Sequence, residues 1–279
     1  MDVVAVRGLV RRYGELVAVD GLDLNVGAGE CVAMLGPNGA GKSTTVEILE
    51  GYRRRDAGEV RVLGVDPARG DRAWRARLGI VLQSVNDLAA VHVGEALAHF
   101  ASFYPAPRPV EEVVALVGLE AKVGARIGSL SGGQRRRLDV ALGVIGRPEL
   151  LFLDEPTTGF DPEARRAFWD LIATLRAEGT TILLTTHYLE EADALADRVV
   201  VVARGRKVAD TTPDELKGRD RDVVVVRWWD GELREERTAS PTATVARLAE
   251  HFGGEVPGLE VVRPTLEEAY LALVEGTAT

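Results

Sequence analysis

A chain of 279 residues, 46% hydrophobic and 28% charged, has room for one large domain and one small one, each with its own core. Its net charge of −9 argues against a general affinity for nucleic acid or anionic lipid, so membrane attachment is expected to run through a protein partner. No apolar run reaches the roughly 18 to 20 residues that cross a bilayer, and the opening Met1-Asp2-Val3-Val4 lacks a signal-peptide layout. A cytoplasmic protein is expected, without an intramolecular disulfide because Cys31 stands alone, and without a metal cluster because its four histidines are scattered.

Alternation over Val3 to Val10, and again over Ala18 to Val26 beyond a turn at Tyr13-Gly14, predicts an antiparallel β subdomain. Tyr13 is a candidate to stack on an adenine ring, since an aromatic face stacks without demanding particular hydrogen bonds; a tyrosine beside a glycine says little by itself. The apolar run Cys31 to Leu35 predicts a buried strand, with the cysteine as a small core residue. Directly after it, Gly36-Pro37-Asn38-Gly39-Ala40-Gly41-Lys42-Ser43-Thr44 fits the phosphate-loop pattern GxxxxGK[ST] in full, and Ser43 to Glu50 continues as a helix closed by Gly51. Glycines let the backbone approach phosphates, and the helix start adds a field that favours anions. Lys42 would reach the β- and γ-phosphates of a nucleoside triphosphate, and the Ser43 hydroxyl would ligate Mg²⁺.

Asp56 to Val65 suggests more of the β subdomain, and Leu78 to Leu82 a compact strand ending in Gln83. That glutamine either faces solvent or reaches the metal through its amide oxygen. Apolar residues recur at helical spacing over Val91 to Phe103 and Pro109 to Val117, predicting a helical subdomain at about residues 88–147. Ser129-Leu130-Ser131-Gly132-Gly133-Gln134 opens a further helix that runs through Ile145, and its small residues offer a second anion site on a different face from Lys42. The basic runs Arg53 to Arg55 and Arg135 to Arg137 are expected to be solvated helix ends.

Glu149 to Pro156 is an apolar strand ending in two carboxylates, at the edge where parallel α/β sheets take ligands. Asp154 suits Mg²⁺, directly or through water, and Glu155 suits a general base for an attacking water, a role of roughly 10²- to 10⁴-fold. A capping pair at a strand-loop junction is the alternative. Asp161-Pro162-Glu163 is a strong helix start, Ala164 to Leu175 supplies one apolar face and Gly179 stops the helix. Thr180 to Thr186 is another buried strand, ending at His187, which either bonds a γ-phosphate or is an ordinary satisfied histidine. Beyond the hairpin at Arg204-Gly205 a small α+β appendage is expected from about Lys217. It comprises strands on either side of Asp230-Gly231, a helix over Thr244 to Phe252, a strand over Leu259 to Arg263, and a last helix opened by a capping box at Thr265 to Glu268. One of Trp228 and Trp229 is expected to pack against the main domain.

Taken together over approximately Val3 to Asp210, these residues resemble the nucleotide-binding subunits of ABC transporters. Tyr13 is similar to that family's adenine-stacking aromatic, Gly36 to Thr44 to its Walker A loop and Gln83 to its Q-loop. Leu130-Ser131-Gly132-Gly133-Gln134 is similar to its signature, Asp154 and Glu155 to the Walker B pair, Gly159-Phe160-Asp161 to the D-loop and His187 to the switch histidine. Two departures stand out: Phe160 where leucine is commoner, and no proline before Gln83. The fold implied is a P-loop NTPase with a RecA-like α/β core, an antiparallel β subdomain and a helical subdomain in residues 1–216, followed by an α+β accessory domain in 217–279.

The resemblance also implies ATP and Mg²⁺ as cofactors, with Ser43, Gln83 and Asp154 around the metal and Glu155 and His187 in catalysis. Two copies are expected to pair head to tail, each ATP lying between Walker A of one and Ser131, Gly132, Gly133 and Gln134 of the other. Pro264 to Tyr270 further resembles the C-terminal signature of ABC-2 type multidrug and antibiotic-resistance exporter ATPases, the daunorubicin-resistance group among them. The function implied is an ATPase subunit at the cytoplasmic face of the cell membrane, powering efflux of a drug, antibiotic or similar hydrophobic compound through a separate integral membrane permease, with no nucleic-acid partner. A soluble ABC ATPase acting on a non-transport partner is the alternative, disfavoured by the single set of motifs.

Overall fold

A computed structural model of the chain describes residues 2–81, 88–217 and 224–262, together with 266, 267, 270, 271 and 273. The opening alternation forms β1 (Asp2–Tyr13) and β2 (Leu16–Gly27), paired antiparallel from Asp2 opposite Gly27 to Tyr13 opposite Leu16. Val4, Val6, Leu9, Leu22, Leu24 and Val26 are buried on this ribbon, as a half-covered antiparallel sheet requires. Next come β3 (Cys31–Leu35), buried along its whole length, and α1 (Lys42–Leu49). Then β4 (Ala57–Val62) returns to β1, completing a three-stranded sheet in the order β2-β1-β4.

The short α2 (Arg72–Arg75) precedes β5 (Leu78–Val81), after which the chain is helical through α3 (Val93–Ala101), α4 (Val110–Leu116) and α5 (Gly132–Val144). Strands and helices then alternate as β6 (Leu150–Asp154), α6 (Pro162–Ala177), β7 (Thr181–Thr186), α7 (Leu189–Leu195), β8 (Arg198–Ala203) and β9 (Arg206–Thr211). Asp161 caps α6 by accepting from the Ala164 N–H at 2.7 Å, and Phe168, Leu171, Ile172 and Leu175 are its buried stripe. The second sheet has the order β5-β6-β7-β3-β8-β9, parallel from β5 to β8. Its central strands are covered on both faces, which is why they read as nearly unbroken Val, Ile and Leu. Phe152, Leu183, Met34 and Val200 meet the β1 and β2 residues in one core.

One compact unit ends at Asp210 and a second begins at Thr211, ahead of the expected boundary after residue 216. The chain turns there because Thr212 and Glu215 form a reciprocal capping box, at 3.0 and 3.2 Å, that starts α8 (Pro213–Lys217) directly after β9. The second unit holds β10 (Val224–Trp229), β11 (Leu233–Thr238), α9 (Pro241–Phe252) and β12 (Glu260–Val262), with sheet order β11-β10-β12. Its hairpin loop is three residues, Asp230 to Glu232, not two, with Gly231 at φ 74°. Pro241 starts α9 three residues before the expected Thr244, as a proline in the first turn does. Trp228 packs on its own unit's Val226, Leu248 and Val256, because period-two alternation puts it on the β10 face that carries Val226, while Trp229 is 54% exposed. The capping box at Thr265 to Glu268 lies outside the described residues.

Candidate functional site

The phosphate loop is folded by its own residues. Lys42, only 5% exposed, bends its ammonium back to donate to the carbonyls of Gly36 at 2.7 Å and Pro37 at 3.2 Å. Burial pulls its pKa below the usual lysine range, against the opposing pull of Glu155 and Asp154. Gly41, with φ 102°, turns the chain into α1, and a Cβ there would sit 2.3 Å from the Ala18 carbonyl; only glycine fits. Gly39, at φ 80°, is different, since a Cβ would meet nothing within 4 Å. Pro37, Asn38 and Gly39 therefore form the open lip of the loop, with Gly36 and Ala40 buried beneath.

The sheet order puts the other candidates on the same rim. β7 lies between β3 and β6, with Thr186 opposite Leu35 and Thr185 opposite Asp154. Asp154 accepts from the Thr185 hydroxyl, and the Ser43 Oγ stands 3.4 Å from its Oδ1. These hard oxygen donors suit Mg²⁺, whereas Gln83 lies outside the described residues. Glu155 takes φ 45°, a left-handed conformation costly for any residue but glycine, and its N–H donates to the Thr185 carbonyl at 3.0 Å. This bend leaves Glu155 Oε1 at 3.4 Å from Nδ1 of His187, whose side chain is 40% exposed. Lys42, Ser43, Asp154, Glu155 and His187 are thus gathered from two strand ends and one helix start.

Tyr13 sits at the end of β1 with Arg11 over its ring at 4.8 Å and Arg53 at 5.3 Å. The run Arg53 to Arg55 is therefore not simply solvated: Arg53 pairs with Glu47, and Arg55 forks onto Asp66 at 2.8 and 2.7 Å. An adenine taking the Tyr13 ring must share it with a guanidinium.

Ser131, Gly132, Gly133 and Gln134 begin α5 elsewhere. The Ser131 Oγ accepts from the Gln134 N–H at 3.2 Å, and the Gln134 Oε1 accepts from the Ser131 N–H at 3.1 Å. Among the described residues none of the four hydrogen-bonds to the phosphate loop; Gly133 faces Ala164 of α6. Arg136 corrects the reading of its basic run. It is 7% exposed and donates to the carbonyls of Pro156 at 2.8 Å and Asp154 at 3.0 Å, clamping α5 to the Asp154-Glu155 turn. Its place at i, i+4, i+7 with Val140 and Gly143 is a signal that would have put it on the buried stripe. Thr185, which orients Asp154, lies in an otherwise ordinary buried strand and has no such signal.

A family model described as ABC transporter matches residues 19–158. The chain is 40% identical over 308 residues to the daunorubicin resistance ATP-binding protein DrrA2 of Streptomyces coeruleorubidus, covering 98% of this chain and 96% of that one. With a Nod factor export ATP-binding protein I of Ralstonia nicotianae it shares 41% identity over 242 residues, covering 85% and 75%. Among solved structures, the dimeric MJ0796, described as a bacterial ABC transporter cassette, matches with a TM-score of 0.68 at 22% identity, covering 75% of this chain and 98% of that one, a likeness of fold.

Proposed function

Since the chain belongs to the ABC transporter family of ATP-binding subunits, we propose that it binds and hydrolyses ATP to power an exporter, with the residues gathered on the rim as its catalytic site. The observation that carries this reading is the meeting of Glu155 and His187 at 3.4 Å beside the buried Lys42. Lys42 and the N–H groups of the loop would hold the triphosphate, and Tyr13 would stack the base. Ser43 and Asp154 would hold Mg²⁺, with Gln83 as a further ligand; when bound, the ion draws charge off the phosphate oxygens. Glu155, as general base, takes a proton from the attacking water, and His187 orients both Glu155 and the terminal phosphate. A second copy would bring Ser131 to Gln134 against the nucleotide, because within one copy these residues are not joined to the phosphate loop.

Among the described residues no helix is long and apolar enough to cross a membrane. In this reading transport runs through a separate membrane-spanning permease, as the likeness to resistance ATP-binding proteins supports. We place its docking at the groove of about 330 Å³ beside the outer strand β5, lined by Leu78, Ile80, Val81, Phe100, Tyr104 and Leu142. Drug-type efflux is favoured over Nod factor export because the likeness to the resistance protein runs through the second compact unit, to 98% of the chain.

The test uses inside-out vesicles from cells that make the chain together with the multi-span membrane protein that co-purifies with it. ATP-dependent uptake of an amphipathic aromatic cation, lost in Glu155→Gln, is the expected result. Hydrolysis without uptake, with the chain recovered only on a soluble partner, would leave the ATPase and remove the exporter.

A further inference from the structure

Glu191, on α7 one turn after His187, is 0% exposed, yet neither of its carboxyl oxygens makes a well-formed hydrogen bond among the described residues. The same holds for the hydroxyl of Thr157, which is also fully buried. Burial pushes the Glu191 carboxyl above the usual range, while the hydroxyls of Thr186 and then Thr157 draw it back, followed by the charges of Arg165 and His187. On the His187 side the tie is also geometric: the Tyr188 N–H donates to the Thr186 Oγ at 2.9 Å, and the Glu191 N–H donates to the Tyr188 carbonyl at 3.2 Å. A buried polar group left without a good partner costs about 1–3 kcal/mol, so its presence in a native core calls for a reason.

Its location supplies one. Thr157 lies two residues after Glu155, in the tight turn where Thr158 N–H donates to Glu155 O at 3.3 Å and Phe160 N–H to Thr157 O at 3.1 Å. Thr186 ends β7 immediately before His187. Glu191 thus stands between the segment that carries Glu155 and the segment that carries His187. A second tie, nearer the surface, joins α6 to the His187 segment: Arg165, in the first half of α6, lies over the Tyr188 ring at 4.8 Å, and that ring is 4.1 Å from the ring of His187.

We propose that Glu191 is a positioning residue for hydrolysis, its carboxyl bracing the Thr157 turn against the Thr186-His187 segment and so setting the Glu155 to His187 separation. It touches neither nucleotide nor water. The role rests on the reading of Glu155 and His187 as the catalytic pair. It also specifies the chemistry of the brace: an amide can replace the carboxyl because it keeps one oxygen to accept from a threonine hydroxyl, whereas leucine fills the volume with no acceptor.

The experiment is steady-state ATP hydrolysis by the full chain and by Glu191→Gln, Glu191→Leu, Thr157→Val and the Leu/Val double variant. Rates are expressed per nucleotide-binding site from equilibrium titration, which removes any unfolded fraction. Glu191→Leu should lose about tenfold in kcat with the ATP KM within about twofold, as a small misplacement of catalytic groups does. Glu191→Gln should recover to within about threefold of wild type, and the double variant should be no slower than the slower single, the non-additivity of groups in contact. If Glu191→Leu does not fold, Thr157→Val combined with Glu191→Gln carries the same test of coupling. Wild-type kcat in Glu191→Leu, a glutamine variant as slow as leucine, or additive losses would each overturn the proposal. A wild-type chain that binds ATP without hydrolysing it would overturn it too, by removing the pair it serves, and that result is told apart by the unsubstituted protein alone.

Discussion

Two helices of this chain start at places where an anion could sit, and they start in opposite ways. α1 begins from Gly41 with no side-chain cap among the described residues, and Lys42 is folded back on the loop carbonyls. α5 begins from Ser131 with a closed capping box, its first donors already bonded through Ser131 and Gln134. A helix leaves its first four N–H groups without partners inside the helix. The phosphate loop keeps them for a ligand, and the Ser131 segment satisfies part of the set itself. Two similar-looking glycine-rich starts thus differ in readiness: the first leaves its donors open within one copy, the second has closed part of its own.

The largest effect that tests this contrast lies beside the loop. Glu155→Gln should lower turnover by about 10²- to 10⁴-fold while leaving nucleotide affinity near wild type, measured by single-turnover hydrolysis and equilibrium binding. Loss of binding in step with turnover would make Glu155 part of the anion site and blur the distinction. At the far end of the same helix, Glu50 is buried and its carboxyl is pushed up to about 8, first by burial and then by Asp154 and Glu47. The folded chain therefore keeps a proton that the unfolded chain releases near its ordinary value, so this contribution is complete in acid and is lost as pH rises through about 8. Glu50→Gln should stabilise by up to about 5 kcal/mol at pH 9 and by almost nothing at pH 4, read by chemical denaturation. An equal gain at both would show that shape, not charge, governs this end of α1.

Smaller effects separate the two helix starts directly. Lys42→Ala should weaken ATP binding about 10- to 100-fold, the worth of a charge-assisted bond to phosphate, while Ser131→Ala in the isolated chain should leave it within about twofold. Comparable losses would mean that both starts serve the same nucleotide in one copy. The least of the expected changes is in stability: Ser131→Ala should cost about 1 kcal/mol for the lost cap, seen as a lowered denaturation midpoint.

How much of this was legible depended on the range over which each residue's meaning is set. The phosphate loop was legible because strand, turn and helix follow one another and the spacing encodes the local fold. Asp161 and Pro162 were legible for the same reason. The meeting of Glu155 with His187 was not, since it depends on β7 entering the sheet between β3 and β6, a long-range choice that local periodicity does not encode. Arg136 was misread because a run of three arginines looks like surface until the helical period is counted. The companion count at period two assigns Trp228 to the face of Val226 within its own unit. Thr157 and Glu191 looked ordinary, because a carboxylate on a short helix says nothing of its burial until the helix is packed.

The backbone at Glu155 also stores strain. With φ 45° it occupies a conformation in which a glycine, or to a lesser degree an asparagine, rests more easily than a glutamate, by about 1 kcal/mol. Glu155→Gly should therefore give a chain sturdier by about that amount, seen as a raised denaturation midpoint, so that the strain of this one residue is a stability reserve held at the very turn where the carboxylate stands.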